Sequence, residues 1–284
     1  MKTALVAVAL ASAAAGLVAA SHNLTTLYVD QAPQTVRAYV LPKERGQSVR
    51  VGQQIYRFSV TGNSSGGAFT LMQTNAPDST ELGVQPHLHQ LHHENFYCTK
   101  GRIQLWAQID NSTQQSRVLT QGDYGTVPHN TIHSNTLAAD AYTPNFVAKN
   151  YGPKYLNTAS GFYHVIAPLA TGAQTTNNFT MGTITMSPKL SNDTVTVTTA
   201  KQHLAFQMQE GELVVEINGE TARLIQGDVV FIPGATPFSY YASVPFTKFL
   251  YVSAGGNGLD ADLLAKSVSW DYPMYPAYAG YVAH

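Results

Sequence analysis

GVQPHLHQLHHENFYCTKG, residues 83–101, sets four histidines and a glutamate within eight positions: His87, His89, His92, His93 and Glu94. Six of the chain's ten histidines fall between residues 87 and 133, and the last of these, His133, ends a second motif, GDYGTVPHNTIH, residues 122–133. His87 and His89 are two apart, so on a strand they face the same side. Glu94 follows a short irregular step at residues 90–93 and opens the next strand, with Phe96 on its face. His133 arrives from a distant strand just past a turn. Three neutral imidazoles and a carboxylate turned into one barrel suit a divalent transition ion with one or more positions left open, which points to catalysis and not to a structural plug. The expected metal ligands are His87, His89, Glu94 and His133. His92 and His93 fall off that face or in the bend and read as supporting or surface positions. His129, His164 and His203 read as ordinary histidines.

Composition bounds what surrounds this stretch. The chain has 284 residues, of which 12% are charged, with a net charge of -1. That balance argues against electrostatic capture of nucleic acid or of an anionic membrane surface. Plentiful Val, Thr, Tyr and Phe, punctuated by Gly and Pro, is the composition of short strands and tight turns. Cys98 is the only cysteine, so no intramolecular disulfide can form, and it reads as a small buried hydrophobe. Residues 1–20, MKTALVAVALASAAAGLVAA, have the positive start, apolar run and small-residue end of a secretory signal peptide, with cleavage expected after Ala20. No other stretch is apolar for long enough to span a bilayer. Five N-x-S/T sequons, at Asn23, Asn63, Asn111, Asn178 and Asn192, agree with export and are the expected glycosylation sites.

In chain order, strands are expected at 27–29, 36–41, 54–60 and 68–73. A strand pair follows at 95–109, broken at Lys100-Gly101, and Gly122-Asp123 makes a hairpin-type turn. Segments 142–149 and 162–166 close a first β unit. Residues 168–178, PLATGAQTTNN, read as a linker. The second unit has strands at 194–198, 203–208, 213–217, 222–224, 229–232 and 246–252. The single helical pattern runs from Leu259 to Val268, opened by Asp260 and Asp262. The aromatic tail WDYPMYPAYAGY, residues 270–281, reads as a strap on the body.

The two units repeat one another. FYCTKGRIQLW (96–106) matches FQMQEGELVVE (206–216), and Gly122-Asp123-x4-Pro128 matches Gly227-Asp228-x4-Pro233. Strand, Gly turn, strand, Gly-Asp turn, strand, Pro is the order of a small jelly-roll barrel. The expected architecture is all-β: signal peptide 1–20, metal-binding module 21–167, linker 168–180, degenerate second module 181–265 and aromatic strap 266–284. Aligned on Gly211, the ligand positions of the second module become Val197, Thr199 and Leu204; aligned on Gly227, the last becomes Phe238. The second module is therefore expected to bind no metal and to act as a packing partner, a homodimer interface being one use for it.

The pattern G-x3-H-x-H-x4-E-x6-G, then G-x5-P-x4-H, resembles the two cupin motifs, with the ligand spacings kept. Three residues lie between Gly83 and His87 where five are usual. Asn130 stands at a usual glycine, and Asn also tolerates positive φ. Within cupins, HLHQLHHENFYCTKGRIQLWAQ (87–108) resembles the fungal quercetin 2,3-dioxygenases, and the 39-residue interval from Glu94 to His133 fits that family. The resemblance implies a tandem cupin, or bicupin, that is secreted and glycosylated. It implies one divalent transition metal per chain, copper in the first cupin, held by His87, His89 and His133, with Glu94 as variable ligand and catalytic base. It places a tyrosine beside the glutamate at Tyr56 and pocket walls at Met72, Thr74 and Phe96. Asn135 stands where an aromatic wall is expected.

Copper is favoured by imidazole-rich ligation and affinity order; iron, manganese, nickel, cobalt and zinc also fit such a set. The implied activity is O2-dependent cleavage of the heterocyclic ring of a flavonol such as quercetin, with release of CO. Its partners are a small phenolic molecule and O2, with no nucleic acid and no membrane. Glu94 is expected to have its pKa raised by burial, which makes a better base. Two other readings stand beside this one. One is a different cupin oxidoreductase, isomerase or cyclase acting on a phenolic or secondary metabolite, or an oxalate-type activity. The other is a secreted, non-enzymatic metal-binding cupin.

Overall fold

Two glycine turns and one aspartate recur in each half of the chain and fix how its strands cross. A computed structural model describes residues 26–52, 54–75, 84–108, 113–133 and 145–277. Gly101 and Gly122 have φ of 82° and 92°, and Gly211 and Gly227 have 76° and 96°. This is the left-handed region that glycine enters without steric penalty. After the second glycine of each pair, Asp123 accepts from the backbone N–H of Thr120 (2.7 Å) and of Lys149 (2.6 Å). Asp228 does the same for Ile225 (3.0 Å) and Lys43 (2.7 Å). Each aspartate thus ties its own turn to the end of a neighbouring strand.

The chain divides into two compact units. One takes the described parts of Ser48–Phe58 and Leu71–Tyr151; the other takes those of Leu17–Gln47, Ser59–Thr70 and Gly152–His284. In the first, Glu94–Tyr97 pairs with Tyr124–Val127, which pairs with Asn145–Val147, while Arg102–Gln108 pairs with Gln114–Thr120. A third small sheet in this unit is made by the parts of Gln47–Val51, Gln54–Val60 and Leu71–Asn75 that belong to it. Phe96, Cys98, Ile103, Leu105, Ala107, Leu119 and Val127 form the core of the unit. Cys98 is fully buried there and burial pushes its thiol up to about 11, leaving it an unreactive packing residue.

The second unit has an eight-stranded antiparallel sheet and a four-stranded one around a single larger core. In the large sheet, Val229–Ile232 lies between Tyr39–Leu41 and Leu204–Glu210. The N-terminal strand Tyr39–Leu41 does here what Asn145–Val147 does in the first unit. It covers the outer side of the strand that follows the Gly-Asp turn.

Several sequence expectations change. Segments 27–41 and 162–166, assigned to the first module, cluster with the second unit. Residues 168–180 are no linker between modules, because His164–Ala170 and Phe179–Met186 are adjacent strands of one sheet joined by the loop 171–178. Residues 95–109 are not a pair: the two strands flanking Gly101 bond to different partners. The helix is six residues, Leu259–Leu264, because Ser267–Ser269 leaves it to pair with Tyr155–Asn157. Asp262 faces Lys201, while Asp260 is buried and accepts from the Thr180 hydroxyl at 2.9 Å. Of the alternating run 194–198, only Thr198 lies in a strand, Thr198–Thr199. The tail packs through Tyr275, whose hydroxyl accepts from Phe246 N–H at 3.1 Å. Among the described residues no helix is long and apolar enough to cross a membrane.

Candidate metal centre

Backbone pairing gathers the cluster before any side chain is placed. His87 and His133 exchange N–H···O bonds of 3.1 and 3.0 Å, and Asn130 N–H donates to His89 C=O at 2.6 Å. Asn130 makes its turn at φ 59°. Glu94 opens a strand opposite Val127, just before that turn, which closes with Thr131 N–H donating to Pro128 C=O at 3.3 Å. The two motifs are therefore two sides of one local sheet, although 39 residues separate Glu94 from His133.

The side chains converge on one carboxylate oxygen. Glu94 Oε2 lies 2.6 Å from His133 Nε2, 3.0 Å from His89 Nε2 and 3.7 Å from His87 Nε2. One donor atom from each of the four residues lies within 4.8 Å of the others. His133 is buried, whereas His87 and His89 are partly open to solvent. The His87 Nδ1–H donates to Gln85 C=O at 2.9 Å, and the His133 Nδ1–H to Thr131 C=O at 3.1 Å. When Nε2 is given to an ion, each bond fixes the tautomer that keeps the ring proton on Nδ1. Three imidazole nitrogens and one carboxylate at this spacing fit a divalent transition ion.

The electrostatics correct one expectation. Burial does push the Glu94 carboxyl up, but hydrogen bonds from His133, His87 and His89 outweigh it and hold it far below the usual carboxylate range. In return, Glu94 raises His87. The raised carboxyl pKa expected from burial alone is thus not found in the ion-free cluster, because three imidazoles crowd one oxygen.

A curated quercetin 2,3-dioxygenase from Aspergillus japonicus is 37% identical, with 90% of this chain and 99% of that relative aligned. This chain belongs to the quercetin 2,3-dioxygenase family. The alignment with the Aspergillus relative runs over 349 positions, more than the 284 residues available, so gaps fall on this side. A quercetin 2,3-dioxygenase from Bacillus subtilis (strain 168) is 30% identical over 105 residues, covering 37% of this chain and 29% of that one. No protein-family profile matches. Among solved structures, protein Ylba from E. coli superposes with a TM-score of 0.57 at 12% identity, over 78% of this chain and 92% of its own. Bacillus subtilis oxalate decarboxylase gives 0.52 at 11%, over 80% and 79%. These two likenesses show the fold, a tandem cupin. As a quercetin 2,3-dioxygenase family member, the chain is a dioxygenase that acts on a small molecule with O2.

The remaining site expectations fall unevenly around the cluster of this family member. Tyr56 is half-buried; burial and then the Glu94 charge push its hydroxyl up to about 12. That hydroxyl donates to Gln54, a buried partner that sequence reading missed. The Phe96 ring is fully buried with its centroid 6.4 Å from that of His133. Met72 and Thr74 share one face of Leu71–Asn75, and the buried Thr74 hydroxyl has no hydrogen-bond partner among the described residues. Gly83 and Asn135, with Asn23 and Asn111, lie outside the described residues. The Asn63, Asn178 and Asn192 side chains are exposed.

The second module shows what the same positions look like without ligands, and it corrects their register. Thr198 pairs with Phe238 as His87 pairs with His133. Ala235 N–H donates to Ala200 C=O as Asn130 does to His89. Leu204 faces Ile232 as Glu94 faces Val127. The counterparts are Thr198, Ala200, Leu204 and Phe238, so Val197 and Thr199 were one residue out. Alignment on Gly211 carries no gap, yet the bend has four residues (90–93) in the first module and three (201–203) in the second. Ala200, Leu204 and Phe238 belong to the apolar core.

Proposed function

We propose that this dioxygenase cleaves the heterocyclic ring of a flavonol such as quercetin with O2, releasing carbon monoxide. The reaction would run at one transition ion, copper by preference, held by His87, His89 and His133 with Glu94. The convergence of three imidazole Nε2 atoms on the Glu94 carboxylate carries this reading. The activity named for the Aspergillus relative supports the substrate class. When bound, the ion supplies Lewis acidity toward a phenolic hydroxyl and a redox partner for O2.

The chain's own residues do the rest. The backbone carbonyls of Gln85 and Thr131 hold His87 and His133 in the ligating tautomer. The buried Phe96 ring closes the His133 side against water. Glu94 takes the hydroxyl proton of the substrate. An imidazole whose Nε2 lone pair is given to an ion no longer donates to Glu94. The hydrogen bonds that depress this carboxyl therefore belong to the ion-free cluster, whereas burial, which raises it, acts in both states.

The balance needs no further reductant: flavonol and O2 give a depside and CO. The test is aerobic incubation of purified, metal-analysed protein with a panel of flavonols, following loss of flavonol absorbance, O2 uptake and CO. One O2 consumed and one CO released per flavonol is the expected result. Metal-dependent turnover of another phenolic without CO would mean a different cupin oxidoreductase. A metal-loaded protein with no turnover would mean a binding protein. The signal-peptide pattern of residues 1–20 and the five sequons support a secreted glycoprotein, which deglycosylation and mass measurement of the exported product would check.

A further inference from the structure

The three ligand imidazoles are not held alike. His87 and His133 are each anchored through Nδ1 to a backbone carbonyl. His89 has no such bond among the described residues, and its ring remains partly open to solvent. A ligating histidine is normally oriented by a partner on its far nitrogen, and loss of that partner lowers metal affinity by about 10- to 100-fold. What His89 has instead is a ring. His92 lies against it with centroids 4.0 Å apart and planes 32° from parallel. Among the described residues, the other rings around His89 are the two fellow ligands, at 4.9 and 5.4 Å.

The second module separates His92 from its neighbour. His93 packs edge-on against His129 at 5.3 Å. Its counterpart His203 accepts from Gly234 N–H at 3.1 Å, and Gly234 occupies the position of His129. The contact between bend and turn therefore exists with or without a metal cluster, and His93 belongs to the barrel. The bend of the first module is one residue longer, and neither Lys201 nor Gln202, the two residues ahead of His203, offers an aromatic ring in the place of His92.

We propose that His92 is a positioning residue: its ring packs on the outer face of His89 and holds that ligand in the orientation that brings Nε2 to the metal. The role is that of a flat face and not of a nitrogen donor, and aromatic stacking of this kind is what a phenyl ring also provides. The assignment rests on reading the four-residue cluster as the metal site.

The test compares His92→Ala and His92→Phe with the parent by copper(II) competition against a chelator and by the copper(II) EPR spectrum. Thermal melting of each serves as a folding check. Affinity is expected to fall about tenfold in His92→Ala, with changed EPR parameters. His92→Phe should keep both close to parent. Parent-like affinity and spectrum in His92→Ala would overturn the proposal, as would His92→Phe failing equally, since the nitrogen and not the face would then matter. A parent chain that takes up no copper would instead overturn the metal reading, and this assignment with it.

Discussion

Glu94→Gln separates holding the ion from moving the proton. The carboxamide keeps the size and planarity of the side chain but cannot take up a proton at neutral pH. In the structure, Oε2 is the point shared by three imidazole nitrogens at 2.6, 3.0 and 3.7 Å, and the side chain is only 16% exposed. The strands that carry those imidazoles do not depend on Glu94 for placement, because the backbone pairing of His87 with His133 and of Asn130 with His89 fixes them. One ion per chain should therefore remain. General base catalysis contributes about 10²- to 10⁴-fold, which at ~1.36 kcal/mol per decade is roughly 3–5 kcal/mol of barrier. We expect kcat to fall about a thousandfold, with KM changing only a few-fold. The assay is flavonol loss by absorbance at metal content measured on the same sample. A kcat within about threefold of parent at equal metal would remove Glu94 as the base. A loss that tracks metal content alone would reduce Glu94 to a ligand.

Other outcomes follow from the same coordinates. His133→Ala deletes the buried member of the cluster, and elemental analysis after dialysis should find little metal left. Asp228→Ala strips the acceptor from two backbone N–H groups, at Ile225 and Lys43. We expect a loss of about 3 kcal/mol and a Tm lower by roughly 10 °C; an unchanged calorimetric Tm would show the latch to be idle. Burial holds His164 down to about 4. Between about pH 6.5 and 4 the unfolded chain then binds a proton that the folded chain refuses, so acidification costs up to about 3 kcal/mol from this group. His164→Phe removes that term, and its denaturant stability relative to parent should rise as pH falls across the window; parallel pH profiles would refute the assignment.

Much of this was legible before the structure, for definite reasons. Gly101, Gly122 and their partners Gly211 and Gly227 mark turns because left-handed φ leaves little choice of residue. The clustering of His87 with His89 was legible because period two puts them on one face. What escaped is of another kind. Alternation identifies Tyr39–Leu41 as a strand but carries no information about which strand it will join, so its membership in the second unit could not be read. A glycine-anchored alignment hides a one-residue difference in the bend before Glu94 and Leu204, and so the empty positions were misnumbered. The Glu94 charge state is a sum over partners 5, 7 and 39 residues away, which burial alone misjudges. His92 looked redundant because its partner, the outer face of His89, exists only once the bend is folded.

The placement of Tyr39–Leu41 has a consequence for how the protein is made and taken apart. Translation delivers this strand first, yet its mate, Val229–Ile232, emerges almost 190 residues later. The second barrel cannot close until Val229–Ile232 has been made, while Glu94–Tyr97, Tyr124–Val127 and Asn145–Val147 are all available earlier. For dissection, a cut at the apparent boundary near residue 168 would strand one barrel's edge on the other fragment. It would also split His164–Ala170 from Phe179–Met186. A usable second-module fragment would have to carry residues 26–47 grafted or circularly permuted onto it; without them, the bare edge of Val229–Ile232 would be free to recruit a strand from elsewhere.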